Sequence, residues 1–434
     1  MADRYWRGGA GIWNTVNTLN WSATSGGAGG ASVPTSADNV FLNAASGAVT
    51  VTQGASVTCK NFDTSGFTGT ISAPGGYYIS VFGNLAIGAT GTLSSVAIII
   101  RQPATTGSYT ISCGKTLASF QMGDMISGYT HSLSSSLSAQ YISIGGYNFN
   151  SNNFAITATV GSLGFGTTSG TTTLGTSALS AVTQLAFSVT GTITASGAIS
   201  ISSGRFDVIQ GPKLTISGSG TISCTNSDIY STIAGGDYNI SRPISCSGII
   251  RINRSVATPY SLSALSCPTF DFINTSTATM SISSVSCTNT ATIDPGGIAF
   301  SSPLTMAGTA STLTAYGTIS TVNVTAPSLT LNQTVGAITS LTSGASTTTI
   351  SLQTNCTISN LTISGPSGTT TVQSSSAGTR RTLTVSSFSL SNITWKDINA
   401  AGTIPFTGTG FINGGNNANI LFSSGNGLFF GSNF

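Results

Sequence analysis

The sequence predicts an all-β chain wound as a single-stranded parallel β-helix, or β-solenoid, and three observations predict it. The first is a spacing. Cys224, Cys246, Cys267 and Cys287 follow one another at intervals of 22, 21 and 20 residues, too short for a helical repeat pair and suited to one coil of about three short strands. The second is composition: only 5% of residues are charged, Gly numbers 53, and hydrophobic residues still make 39%. Thr, Ser, Val, Ile and Gly favour strands and tight bends over helices, and that hydrophobic share excludes charge-rich disorder. The third is patterning. Runs such as Val49-Thr50-Val51, Val57-Thr58-Cys59 and Ile79-Ser80-Val81 alternate polar and aliphatic residues and are separated by Gly, Asn, Pro or Ser turns.

Taken in order, residues 1–45 form an N-terminal cap or attachment region. Trp6, Trp13 and Trp21 cluster around Gly8-Gly9-Ala10-Gly11, and an open solenoid needs an atypical end because its terminal coil would otherwise expose core and backbone. Buried tryptophans would close that end; exposed ones would contact a partner. Residues 46–390 read as one uninterrupted shaft of roughly 16 coils, on the order of 80 Å long at about 4.8 Å per coil. Within it the four cysteines make one inward structural ladder, where Cys behaves as a small hydrophobe. The stretch from Thr105 to Phe154 is richer in Tyr and Phe. Either these rings fill a wider core or they stand on projecting loops, where Tyr129, Tyr141 and Tyr147 become candidate glycan contacts. Residues 391–434 make a second cap, with Trp395, Phe406, Phe411, Phe429, Phe430 and Phe434 as cap or assembly residues.

The expected chemistry is sparse. All 10 acidic residues are Asp, so a carboxylate pair of the kind that cleaves glycosidic bonds would have to come from Asp207 with Asp228, or Asp271 with Asp294, each spaced near one coil. Both pairs sit in turn-like surroundings where Asp commonly caps a bend, and the expectation is no catalytic site. His131 is the one histidine and no Cys-x-x-Cys occurs, so no metal site is expected. The glycine clusters lack a phosphate-loop ending, so no cofactor is expected either. Seven cysteines do not read as a disulfide framework. A net charge of +3 without a basic run excludes a nucleic-acid footprint, and no apolar stretch has the length of a membrane span or follows the pattern of a signal peptide.

Two ends carry a resemblance. The opening Tyr5-Trp6-Arg7-Gly8-Gly9-Ala10-Gly11-Ile12-Trp13, with Asn20-Trp21-Ser22, Gly26-Gly27-Ala28-Gly29-Gly30 and Val33-Pro34-Thr35-Ser36-Ala37-Asp38-Asn39-Val40-Phe41, resembles the start of β-solenoid virion proteins of tailed bacteriophages and related surface adhesins. The closing Trp395-Lys396-Asp397-Ile398 and Asn413-Gly414-Gly415-Asn416-Asn417-Ala418-Asn419-Ile420-Leu421-Phe422 is similar to their C-terminal signature. The resemblance implies a fibre, spike or decoration component on the virion exterior, made in the host cytoplasm. The resemblance does not extend to the C-terminal trimerisation domain of large tailspikes. The expected function is therefore a non-enzymatic structural virion protein, a tail fibre or host-adhesion component. A secreted or cell-surface bacterial adhesin and a polysaccharide-degrading tailspike are the alternatives. Expected partners are other copies of the chain, a homotrimer first, together with other virion proteins and host surface polysaccharide.

Overall fold

Short β-branched runs cut by turn residues cannot bury themselves, and here each is satisfied by the run one coil away. The computed structural model describes residues 2–123, 127–145, 148–166, 170–188, 191–209, 213–231, 237–255, 260–275, 280–296, 299–344, 346–364, 370–424 and 427–430. They form a parallel β-solenoid of about 16 turns with about 21 residues per turn, and no α-helix occurs among the described residues. One coil shows the plan: the strands Thr171–Gly175, Leu179–Ala181 and Gln184–Ser188 build three faces. The next coil repeats them, with Thr171 facing Thr192, Leu179 facing Ile199 and Gln184 facing Arg205 in parallel register. Alternate residues point into the tube, so Leu185 and Phe187 are buried while the residues between them face out.

The chain divides into two compact units, Met1–Cys224 with Gly235–Asn239, and Thr225–Ala234 with Ile240–Phe434. The division falls inside the stretch read from the sequence as one shaft.

In the first unit Trp6, Trp13 and Trp21 are fully buried. Trp21 meets Trp6 and Trp13 edge-on at 5.2 and 5.3 Å between ring centres, and Trp13 rests on Phe62 at 5.6 Å. The strand Trp21–Ser22 runs antiparallel to Asp3–Trp6, which itself pairs in parallel with Asn39–Phe41. Gly11 packs closely here: a Cβ would lie 2.6 Å from the Asn20 side-chain nitrogen, so that amide would have to move. One corner of the first coils is held by stacked asparagines: Asn61 donates to Asn39 at 2.7 Å, and its own oxygen accepts from the Asn84 backbone at 2.7 Å. Further on, Tyr109, His131, Phe149, Thr172, Ile193 and Leu214 follow one another in register as a single buried column.

In the second unit two strands of 15 residues, Tyr260–Asn274 and Met280–Asp294, each run across two faces. They pair from Tyr260 opposite Met280 to Ile273 opposite Asp294. Cys267 faces Cys287, and the same column continues through Met306, Val324, Ser343 and Ile363. At the far end Trp395 is buried, with Phe406 at 5.7 Å and Phe411 at 5.6 Å from it. Here the two segments that carry the C-terminal resemblance bond to each other. Asn416 donates to the Asp397 carboxylate at 2.7 Å, Asn417 donates to the Trp395 carbonyl at 2.7 Å, and Ile398 N–H donates back to Asn417 at 3.1 Å. The hydrogen bond from Asn416 leads the causes that hold the Asp397 carboxyl below its ordinary range.

Candidate functional site

The side chains singled out in the sequence divide between core and surface. Cys224, Cys246, Cys267 and Cys287 are all buried and none forms a disulfide. In the second unit Ile244 and Ser245 face Leu265 and Ser266, one residue ahead of Cys246 and Cys267, and Cys267 faces Cys287. Burial pushes the Cys287 thiol up, and the carbonyls of Pro268 and Thr290, each 3.0 Å from its Sγ, are both placed to accept its single S–H. Cys113 and Cys356 are pushed up to about 11 by the same desolvation. These are packing residues, not nucleophiles.

The terminal aromatics are covered by their own chain. Trp6, Trp13, Trp21, Trp395 and Phe406 are no more than 1% exposed and Phe411 is 7% exposed, so they close coils within the protomer. Phe429 and Phe430 lie on the strand Gly427–Phe430, which pairs antiparallel with Leu421–Ser424; Phe434 lies outside the described residues. The middle aromatics mostly fill the core. Tyr129 begins the strand Tyr129–Leu133 pointing inward with His131 and Leu133, and it is buried. Its parity in the strand takes it off the surface, so it cannot offer a ring face to a glycan. Tyr147 lies outside the described residues.

Tyr141 is different: half its surface is exposed. Its ring lies over Gly161, where a Cβ would stand 2.1 Å from the ring edge. Tyr78, Ala97, Ser119 and Tyr141 make one outward column, so two exposed tyrosines are separated by small residues over roughly 14 Å, three coil steps.

His131 is fully buried and stacks on Tyr109 at 5.4 Å with 23° between the rings. Neither ring nitrogen has a hydrogen-bond partner among the described residues, and burial pulls its pKa down to about 4. It serves the column as a neutral aromatic ring. No cluster of three or more His, Cys or Asp side chains is placed to hold a metal ion among the described residues.

Of the two carboxylate pairs read from the sequence spacing, Asp271 and Asp294 do not meet. Asp207, in the first unit, accepts from Gln184 at 2.6 Å and pairs with Arg205 at 3.1 Å. Asp228, in the second, faces Arg251, which next faces Asp271; Arg251 lies 3.7 Å from each carboxylate. Asp271 stands opposite Thr292 and Asp294 opposite Ile273, so that pair is out of register by two residues. What Asp228, Arg251 and Asp271 offer is acid, base, acid in alternation, with one guanidinium shared between two carboxylates.

The first unit also contains a concave site that composition and spacing did not reveal. It lies at the corner where the third-face strands Val57–Cys59, Tyr78–Val81 and Ala97–Ile100 turn into Phe62–Asp63, Leu85–Ile87 and Gly107–Cys113. The first two corners are short, whereas residues 101–106 form a longer loop that overhangs the stack. Beneath it is a cavity of about 410 Å³ lined by Ser36, Lys60, Phe82, Gln102, Thr105 and Tyr109. The loop is pinned: the Tyr109 hydroxyl donates to the Thr105 carbonyl at 2.6 Å, and Gln102 donates to the Tyr129 hydroxyl at 3.5 Å. A second depression of about 350 Å³ shares Ser36 and is lined by Asn14, Thr15, Thr35, Ser56 and Thr58. The sequence signal was Arg101-Gln102-Pro103-Ala104-Thr105-Thr106, a polar, Pro-containing break longer than Lys60-Asn61 at the equivalent corner.

No family model matches this chain, and neither a curated protein nor a solved structure does. No helix among the described residues is long and apolar enough to cross a membrane.

Proposed function

We propose that this chain is a non-enzymatic structural protein of a tailed bacteriophage virion, a tail fibre or host-adhesion component on the particle exterior. The observation that carries the reading is that the terminal segments resembling those proteins are built as caps. The tryptophan cluster closes the first coils, and the Trp395-Lys396-Asp397 segment is bonded to Asn416 and Asn417. Between them, hydrogen-bonded coils of small residues give a stiff support that needs no chemistry of its own. The loop cavity and the exposed tyrosines supply contact surface on that support. Assembly as a homotrimer belongs to this reading and would use the outer sheet faces, because Trp6, Trp13, Trp21 and Trp395 are covered within the chain. Immunogold labelling of purified phage particles with antibody to the chain tests the role: gold on tail or capsid is expected, and particles free of both gold and the chain by mass spectrometry overturn it. Sedimentation equilibrium of the isolated chain tests the trimer, which a single species of 43.6 kDa at all concentrations would exclude.

A further inference from the structure

Tyr109 stands between the recess and the buried histidine. It lines the cavity beneath residues 101–106, and its ring stacks on His131 at 5.4 Å. The same side chain fastens the overhanging loop, because its hydroxyl donates to the Thr105 carbonyl at 2.6 Å and lies 3.1 Å from the Thr105 hydroxyl. The loop backbone is tied at its two ends, Arg101 N–H to the Val81 carbonyl at 2.8 Å and Gly107 N–H to the Gly128 carbonyl at 3.0 Å. Between those ends no backbone hydrogen bond holds residues 102–106 among the described residues. The other fastening is Gln102 on the Tyr129 hydroxyl at 3.5 Å, and Tyr129 points inward two residues before His131. Both rings that hold the loop thus belong to the inner layer around the chain's one histidine.

His131 is fully buried, and neither ring nitrogen has a partner among the described residues. An imidazolium in that place needs an anion or water. The strands stacked on it supply no anion. Gly107–Cys113 carries Tyr109 and Cys113 as its titratable groups, Tyr129–Leu133 adds Tyr129, and Asn148–Asn150 adds none. On the next face of these coils Thr116–Met122 has none, and Leu137–Gly145 has only Tyr141, which is exposed. No Lys, Arg or Asp lies on any of the five strands, and the corner residues Arg101 and Lys115 are cations that oppose a further positive charge. Burial pushes the Cys113 thiol up to about 11, so it stays neutral in acid. Water is the partner left, and the cavity of about 410 Å³ beyond Tyr109 is a place for it.

We propose that Tyr109 and residues 101–106 form an acid-released lid: when His131 takes a proton from solvent, the Tyr109 ring is displaced, its hydroxyl leaves Thr105, and the loop lifts from the recess. The device is a property of these coils and does not depend on the virion role. Its sign follows from linkage. The open form titrates near 6.5 and the closed form near 4, so the closed form is fully favoured above 6.5 and loses ground as pH falls toward 4. At pH 5 the opening equilibrium should be about 30-fold larger than at pH 7.5. The test is amide hydrogen exchange of the whole chain at these two pH values, each rate taken relative to that of the unstructured peptide. Protection over residues 107–113 should fall about 30-fold, while the coils from Gln184 to Ile201 change little. His131→Phe, which keeps a ring in the stack, should abolish that pH dependence. Tyr109→Phe, which keeps the stack and loses the hydroxyl, should lower protection of the Gly107 amide about five-fold already at pH 7.5. Circular dichroism establishes that each variant is folded. A further arm needs no variant: with a single histidine in the chain, one imidazole resonance of isotope-labelled protein reports its protonation, and its midpoint should coincide with that of the exchange. Equal protection at the two pH values, an equal loss in the distant coils, a pH dependence that persists in folded His131→Phe, or an imidazole that titrates with no change in exchange each overturns the lid.

Discussion

Two inner columns meet the same packing problem with different materials. In the first unit Tyr109, His131 and Phe149 stack ring upon ring; in the second, Cys267, Cys287, Met306 and Val324 fill a column on another face with sulfur and aliphatic groups. The aromatic column buries more area per coil but admits a titratable ring whose nitrogens find no partner among the described residues. The cysteine column buries less, and the Cys287 S–H finds carbonyl acceptors. The difference teaches that an inner column can be filled with rings or with sulfur and aliphatic groups, and that filling it with a heteroaromatic ring adds pH sensitivity.

The sharpest way to break this comparison is Phe149→Ala, expected to cost about 3–5 kcal/mol as a lost aromatic and its cavity. Solenoid coils touch only their neighbours and unfolding can be non-cooperative, so the readout is amide hydrogen exchange in the strand Asn148–Asn150 and its partners. Protection unchanged there would show that the column carries no such load.

Acid comes next. His131 is held neutral with a pKa near 4 against 6.5 for the free group. Between these values the unfolded chain binds a proton that the folded chain does not. Stability is thus full above the unfolded pKa and falls as pH drops toward about 4, by up to roughly 3 kcal/mol. His131→Phe should flatten that part of the pH–stability curve, and an equally steep curve in the variant would locate the acid sensitivity elsewhere.

Smaller effects belong to the cysteine column. Cys287→Ser should cost no more than about 1 kcal/mol, since either carbonyl placed to accept its S–H can accept a hydroxyl instead. All seven cysteines are buried, so a thiol reagent at neutral pH should label none in the native chain and all seven after denaturation. Rapid native labelling would contradict the assigned interior. Smallest of all is Tyr141→Ala, an exposed ring expected to move stability by less than about 0.5 kcal/mol in thermal melts.

Much of the fold was legible because a solenoid writes its period into the chain. The interval from Cys246 to Cys287 reports the coil directly, since each cysteine takes the same inward place. The tryptophans announced the caps, because all four fall in the end regions. Tyr129 was misplaced for a local reason: whether a ring points in or out is set by strand parity, and Tyr129, His131 and Leu133 share the inward one. The pair Asp271 and Asp294 failed for a similar one, since Asp294 falls two register positions from Asp271. The loop cavity was least legible, because its walls come from residues 36 to 109 and depend on one corner being longer than those beside it.

The reversed strand at the first cap bears on polymer growth. A bare rim of parallel strands is a seed: it displays the spacing and direction that another chain would need to add itself, coil after coil, into a fibril. Trp21–Ser22 runs against the direction of Asp3–Trp6, so on that face an incoming chain meets a strand of the wrong polarity, backed by buried indoles instead of an open aliphatic trough. Protein concentrated many-fold on a surface or in an inclusion can thus remain discrete particles. Cutting away residues 2–30 would turn the same coils into a template for their own elongation.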